Sequence, residues 1–376
     1  MRILAAIVGI LFVLLILQDC VETIVLPRRV ARRFRFASLF YRITWRAGSF
    51  FVRHIRSNNR REYVISFYGP LSLLLLLICW ACGLILAVAL IHFGIGSRLQ
   101  APEKVVTFWT DLYLSGTTFF TLGLGDVTPL PGIARLIVIL EGGLGFGFLA
   151  LVIGYVPVIY QAFSHREALI TTLDARAGSP PSAVELLRRH MPKQDPVDLI
   201  AYLRNWEFWC TEVLESHLSY PVLMYYRSQH ERESWPASLT TILDVSALVM
   251  VGIDSVPEQV GRFTFAIARH AAVDLTQTLY LEPAAPVPDR LTSKAFLELS
   301  NQLAEMGIYF NDPQTAEIRL KNLRHMYEPY VNVLARHLLT SMPDWIAVNE
   351  TIDDWQTSPW DHFAFTTQRP YKKISQ

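Results

Sequence analysis

Long apolar stretches alternate with polar ones in the first half of the chain, and the second half changes pattern altogether. Residues 67–93 contain no charged side chain, and residues 133–161 are apolar but for Arg135 and Glu141. Each is longer than the roughly 20 residues that cross a bilayer. An earlier apolar run, Ile3 to Leu17, is marginal; extended to Leu26 it takes in Asp19 and Glu22. No small-residue cleavage site follows it, and Gln18 and Asp19 suit poorly a lipoprotein site at Cys20, so an uncleaved N-terminal anchor helix is expected, with an interfacial helix as the rival. Beyond Ser164 the apolar positions recur at helical spacing over 197–217, 238–251, 258–281, 290–306 and 315–341. Ser182-Ala-Val-Glu185 and Ser255-Val-Pro-Glu258 match capping boxes, and Asp195-Pro196 opens a further helix. This region shows no run long enough to span; Val245 to Ile253 is apolar but short. The expected architecture is an all-α membrane protein. Its parts are an anchor helix (1–26), an interfacial segment (27–62), a two-span unit (63–163) and a helical domain (164–376).

Between the two full spans lies Val105 to Phe120, too short and too hydroxyl-rich to cross a membrane, followed by Thr121-Leu122-Gly123-Leu124-Gly125-Asp126. Alone, Thr-x-Gly-x-Gly-Asp is a weak signal. Its setting gives it meaning, because non-helical backbone at membrane depth is tolerated only where it lines a cavity or is buried in protein. Gly123 and Gly125 supply positive φ without steric cost, which lets successive carbonyls point to one side.

Span, re-entrant helix, glycine-rich strand and second span together resemble the tetrameric potassium-channel family over about residues 67–163; its filter typically reads Thr-Val-Gly-Tyr-Gly-Asp. The resemblance implies K+ held by the carbonyls of Thr121, Leu122, Gly123 and Leu124, with the Thr121 hydroxyl innermost and Asp126 at the outer mouth. It also implies a homotetramer, since four such strands surround one axis. Thr117, Thr118 and Trp109 are expected to pack the pore helix behind the filter. Leu122 replaces the usual Val and Leu124 the usual Tyr, removing a hydroxyl that braces the filter in the family.

The inner helix carries Gly142, Gly143, Gly145 and Gly147 in its first half and Pro157 later. The resemblance makes Gly143 or Gly145 the candidate hinge; close helix packing is the competing reading. Pro157 removes a backbone hydrogen bond near the cytoplasmic end. Glu141 is an ionisable group at membrane depth and calls for a polar partner or the cavity. As a functional group it would tune ion occupancy or support the filter; as a structural one it would only pack against the pore helix.

Charge divides the chain. Residues 1–163 hold 15 Lys/Arg against 7 Asp/Glu, and residues 164–376 hold 19 against 26, a basic membrane part and an acidic second part. Eleven arginines (28, 29, 32, 33, 35, 42, 46, 53, 56, 60 and 61) precede Glu62 without an intervening acid. At 100° per residue Phe36, Phe40, Ile43, Ala47 and Phe51 share one face, and Arg35, Arg42, Arg46, Arg53 and Arg60 another. That pattern suits a helix lying on anionic lipid head groups rather than a nucleic-acid patch. It also places the block, with the C-terminal region, on the cytoplasmic side of a cell membrane, here taken as a bacterial inner membrane.

Cys79 and Cys82 form Cys-x-x-Cys inside a charge-free run and read as small apolar residues. The carboxylates and histidines Glu212, Glu215, His217, His230, Glu231 and Glu233 lack the repeated spacing of a metal site. No phosphate loop, nucleotide fingerprint or nucleophile–base motif is present, so an enzyme is not expected, and the gating stimulus is left unnamed. The expectation is a potassium-selective channel modulated by its helical domain. A weakly selective cation channel and a non-conducting receptor or scaffold are the alternatives.

Overall fold

The structure is a computed structural model that describes residues 1–26, 35–102, 105–191, 195–228, 233–253, 256–310 and 312–347, leaving aside the side chains of residues 58 and 59. Arg28, Arg29, Arg32, Arg33, His230, Glu231 and Ser255 lie outside the described residues. The chain divides into two compact units. One is Met1–Phe163 with Ser216–Tyr226; the other is Ser164–Glu215 with the residues from Arg227 onward.

In the first unit, α1 (Arg2–Cys20) continues as a π turn (Val21–Val25) and packs along α4 (Tyr68–Ile95). The two helices meet backbone to backbone: a Cβ on Gly94 would lie 2.4 Å from the Ala6 nitrogen. Small residues permit such contact where lipid gives no hydrophobic drive between helices. Asp19, deep in the apolar run, is partnered. It accepts from Trp80 Nε1 of α4 at 3.0 Å and from the Ala37 backbone amide at 3.1 Å, near the start of α2 (Phe36–Arg53). One carboxylate thus satisfies an orphan amide in the first turn of α2 and joins three helices.

The arginine-rich segment differs from its expected form. Its described part is two helices, α2 and the short α3 (Asn58–Ser66), so Arg60 does not share a helix with Arg42, Arg46 and Arg53, and Arg35 stands outside α2 as its N-cap. The buried residues of α2 are Ala37, Phe40, Tyr41, Trp45 and Val52, while Phe36, Ile43 and Phe51 are exposed. The reason is tertiary. Tyr41 and Trp45 pack on Tyr225, with ring centroids 6.0 and 4.9 Å apart, and Trp45 also meets Tyr68 at 4.8 Å. Tyr225 belongs to a 3-10 turn, Pro221–Tyr225, whose last four residues are buried. Its neighbours complete the cluster: Tyr220 contacts Tyr155 and Tyr226 contacts Phe163, at 5.7 and 5.6 Å.

The pore helix α5 (Phe108–Phe119) sits between α4 and α6 (Ile133–Ala177) in sequence. A two-residue antiparallel pairing, β1 (Leu99–Gln100) with β2 (Thr128–Pro129), closes the chain around it. The inner helix α6 runs 16 residues beyond its expected end at Gln161, passing Pro157 unbroken and crossing from the first unit into the second. No breaker intervenes until Gly178, at φ +86°.

The second unit is built on α9 (Trp235–Gly252), packed by α7 (Ala183–His190), α10 (Glu258–Thr278) and α12 (Pro313–Leu338); α8 (Val197–Ser219) and α11 (Ser293–Glu305) complete the helices. By length and composition α9 is apolar enough to cross a membrane, contrary to the expectation that no such run lies here. All its residues but Met250 and Gly252 are buried inside the unit, which makes it a core helix. Ser182 caps α7 by accepting from the Glu185 amide, but the other half of the expected box is missing, because the Glu185 carboxylate turns to Arg188 and Arg189; Asp195 accepts from the Val197 amide. A buried ionic network ties α9 to α12: Arg290 bonds Asp244 at 2.6 Å and Glu328 at 2.9 Å, and Arg324 bonds Glu328 at 3.0 Å. Trp345 lies beneath both guanidinium groups.

Candidate ion-conduction site

Thr107 caps α5 in a capping box with Thr110, and the helix ends in a Schellman motif. The Leu122 amide donates to Thr117 O at 2.8 Å and the Thr121 amide to Thr118 O at 2.9 Å. That motif requires a left-handed residue just past the cap, and Thr121 occupies it at φ +57°. A β-branched residue rarely adopts this conformation. The cap therefore determines where the glycine-alternating strand begins.

From there the backbone alternates. Thr121, Gly123 and Gly125 have φ of +57°, +55° and +79°, whereas Leu122 and Leu124 do not have positive φ. Every second residue is left-handed, the kind of alternation that permits successive carbonyls to point to one side. Positive φ at the two glycines follows from the sequence; that at Thr121 does not. All six residues from Thr121 to Asp126 are exposed in the single chain, with Leu122 and Leu124 above 60%.

Asp126 is tied from behind, where its Oδ2 accepts from the Tyr113 hydroxyl at 2.8 Å. That bond holds the carboxyl below its ordinary pKa. Tyr113 thus supplies a brace from the pore helix, while the filter position that is Tyr in the resembled family is Leu124. The supporting residues differ among themselves. Thr117 turns its hydroxyl back to the carbonyls of Tyr113 and Leu114, at 3.0 Å each. The Thr118 methyl faces Gly142, where a Cβ would lie 3.9 Å away. Trp109 is 73% exposed and does not pack behind the filter within this chain.

The two candidate hinge glycines are not equivalent. A Cβ on Gly145 would lie 2.0 Å from the carbonyl oxygen of Phe119, so α6 presses directly on the last turn of the pore helix there. Gly143 has nothing within 4 Å in the chain. One turn before Gly145, Glu141 is 2% exposed and bonded to the Ser115 hydroxyl, which also donates to Ile85 O of α4 at 2.9 Å. Ser115 is not singled out by the sequence reading. The available signal is its spacing of four from Asp111, which marks a polar stripe on an otherwise apolar helix.

Elsewhere, His217 is buried with Ser216 Oγ 3.0 Å from its Nδ1, and Glu212 and Glu215 are exposed. All four cysteines are free thiols.

Two spanning helices holding a re-entrant helix and a glycine-alternating strand define an ion-channel pore unit, and the comparisons agree. Residues 72–161 match the model of a family described as ion channel. The chain is a membrane protein whose pore unit supports ion-channel activity. It is also similar to the uncharacterized membrane protein YdjJ of Bacillus subtilis (strain 168), at 24% identity over 257 residues, which is 65% of this chain and 74% of that protein. That alignment is longer than the ion-channel match and so takes in sequence outside the pore unit. No solved structure matches the chain.

Proposed function

We propose that the chain is one subunit of a homotetrameric, potassium-selective channel, with K+ coordinated by the carbonyls of Thr121, Leu122, Gly123 and Leu124. The observation that carries this reading is the alternation of positive φ at residues 121, 123 and 125, in a loop capped onto the pore helix. Carbonyl rings replace the hydration shell of K+, and a full ring needs four strands. The exposure of the whole strand in one chain accords with partners that would complete it.

The helical domain modulates the pore from the cytoplasmic side. α6 reaches Ala177 without a break, so the pore unit and the second unit are covalently joined by one continuous helix. A stimulus acts through it only by binding the open and closed states differently. The exposed Arg42, Arg46 and Arg53, with Phe36, Leu39, Ile43 and Phe50 exposed on the same helix, meet anionic lipid head groups at the membrane surface. Nucleic acid and enzymatic chemistry have no place in this reading.

Purified protein in liposomes under a K+ or a Na+ gradient tests it. Flux of K+ with little Na+ is expected. Equal passage of both ions would make it a weakly selective cation channel, and no flux at all would make the pore unit an oligomerisation device.

A further inference from the structure

We infer that Ser115 and Glu141 are a positioning pair for the filter, in which Glu141 serves as an uncharged carboxylic acid that donates a hydrogen bond to Ser115. This rests on the pore reading above and adds to it a role that depends on the acid proton.

Ser115 is fully buried, and its hydroxyl faces two oxygens from two different helices, Ile85 O of α4 and Glu141 Oε1 of α6. A serine hydroxyl carries one proton and two lone pairs. The Ile85 carbonyl can only accept, so the serine proton goes to it. The second contact is then a hydrogen bond only if the Glu141 carboxyl supplies the proton. The surroundings agree. Among the described residues Glu141 forms no ion pair, and its Oε2 is buried without a partner. An ionised carboxylate left so at membrane depth would be heavily penalised, whereas a neutral acid with one idle acceptor is tolerable.

The placement explains what the bond does. Ser115 and Phe119 are four apart on α5, and Glu141 and Gly145 are four apart on α6, so two successive turns of each helix meet. The first meeting is the Ser115–Glu141 bond; the second is the contact of Phe119 O with Gly145. Two residues beyond Ser115, the Thr117 carbonyl receives the Leu122 amide and begins the filter. The acid therefore sets the seat of the pore helix against both spanning helices, and through its cap the start of the ion-coordinating strand.

The test compares Glu141→Gln, Glu141→Leu, Ser115→Ala and the double variant Ser115→Ala/Glu141→Leu for K+ flux and K+/Na+ preference in liposomes, with assembly followed by gel filtration. Gln keeps an uncharged donor. Leaving one buried partner unmade costs enough to change a population by about tenfold or more. Glu141→Leu and Ser115→Ala are each expected to lose flux or preference by at least that factor while assembling normally. Glu141→Gln is expected to restore what Leu loses, and the double variant to do better than either single one. Loss in Glu141→Gln equal to that in Glu141→Leu, or an unaltered Ser115→Ala, would overturn the proposal. If the single variants fail to fold, infrared difference spectra of detergent-solubilised wild type and Glu141→Gln decide it. A protonated-carboxyl stretch at neutral pH that the Gln variant lacks is expected, and a carboxylate band in its place overturns it. That readout needs no conduction, so failure of the channel reading would show separately, as absent flux in wild type.

Discussion

Replacing Gly145 by alanine isolates the contact between the inner helix and the pore helix. The added Cβ would lie 2.0 Å from Phe119 O, 2.8 Å from its carbonyl carbon and 2.9 Å from its Cα. Cβ atoms do not approach other heavy atoms within 3.0 Å, so the two backbones must separate by about 1 Å at this point. The obstacle is main chain and cannot rotate away. It also lies beside Thr117 O and Thr118 O, which hold the amides of Leu122 and Thr121. Overpacking of this kind costs about 1–3 kcal/mol, against which alanine's better helix propensity returns up to about 1 kcal/mol. A net loss of one or two kcal/mol is expected, with the displacement passed to the filter. Gly143→Ala is the control, because nothing lies within 4 Å in the chain and only the propensity gain remains. Thermal unfolding in detergent and K+ flux in liposomes read both effects. Gly145→Ala should melt below wild type and conduct poorly, and Gly143→Ala should melt at or above it. A Gly145→Ala protein as stable and as conductive as wild type would refute the close-contact argument and return Gly145 to the role of a hinge.

Gly123→Ala should abolish K+ flux at matched expression: no atom of the chain obstructs it, but φ of +55° costs an L-residue about 1–2 kcal/mol. Tyr113→Phe removes the hydroxyl that lowers the Asp126 pKa. A depressed carboxylate keeps its bond until pH falls through the lowered value, so the acid limb of a flux–pH curve should move to higher pH in the variant. Arg290→Met leaves Asp244 and Glu328 buried without that partner and should destabilise the second unit by about 3–5 kcal/mol in urea unfolding. Tyr225→Ala empties a site that is 5% exposed beneath Tyr41, Trp45 and Tyr68. It should cost about 3–5 kcal/mol, seen as a lower melting midpoint of the full chain.

Much of the pore unit is legible from residues 67–163, because a membrane imposes strong local rules. Spans must be long and apolar, and irregular backbone at that depth must be special. Gly123 and Gly125 announce left-handed backbone by being glycine. Thr121 gives no such notice: its β-branched side chain argues against positive φ, and the Schellman geometry of a helix ending at Phe119 overrides that preference. The apolar face of α2 is likewise visible as a stripe. Which face is buried is not, since Tyr41 and Trp45 are covered by a turn about 180 residues further on.

The sequence alone therefore determined the element types, the two spans, the glycine-alternating strand and the helical character of the second half, all of which rest on local periodicity and on residues with restricted backbone. Tertiary structure decided the partners. A lone Glu141 in an apolar helix says only that something polar must face it; that this is Ser115, 26 residues earlier, depends on how two helices pack. Asp19, Asp244 and Ser216–Tyr226 follow the same rule. Long-range pairings are selected by the free energy of burying polar and aromatic groups together, and a linear pattern of apolar and polar positions does not encode which distant group will meet them.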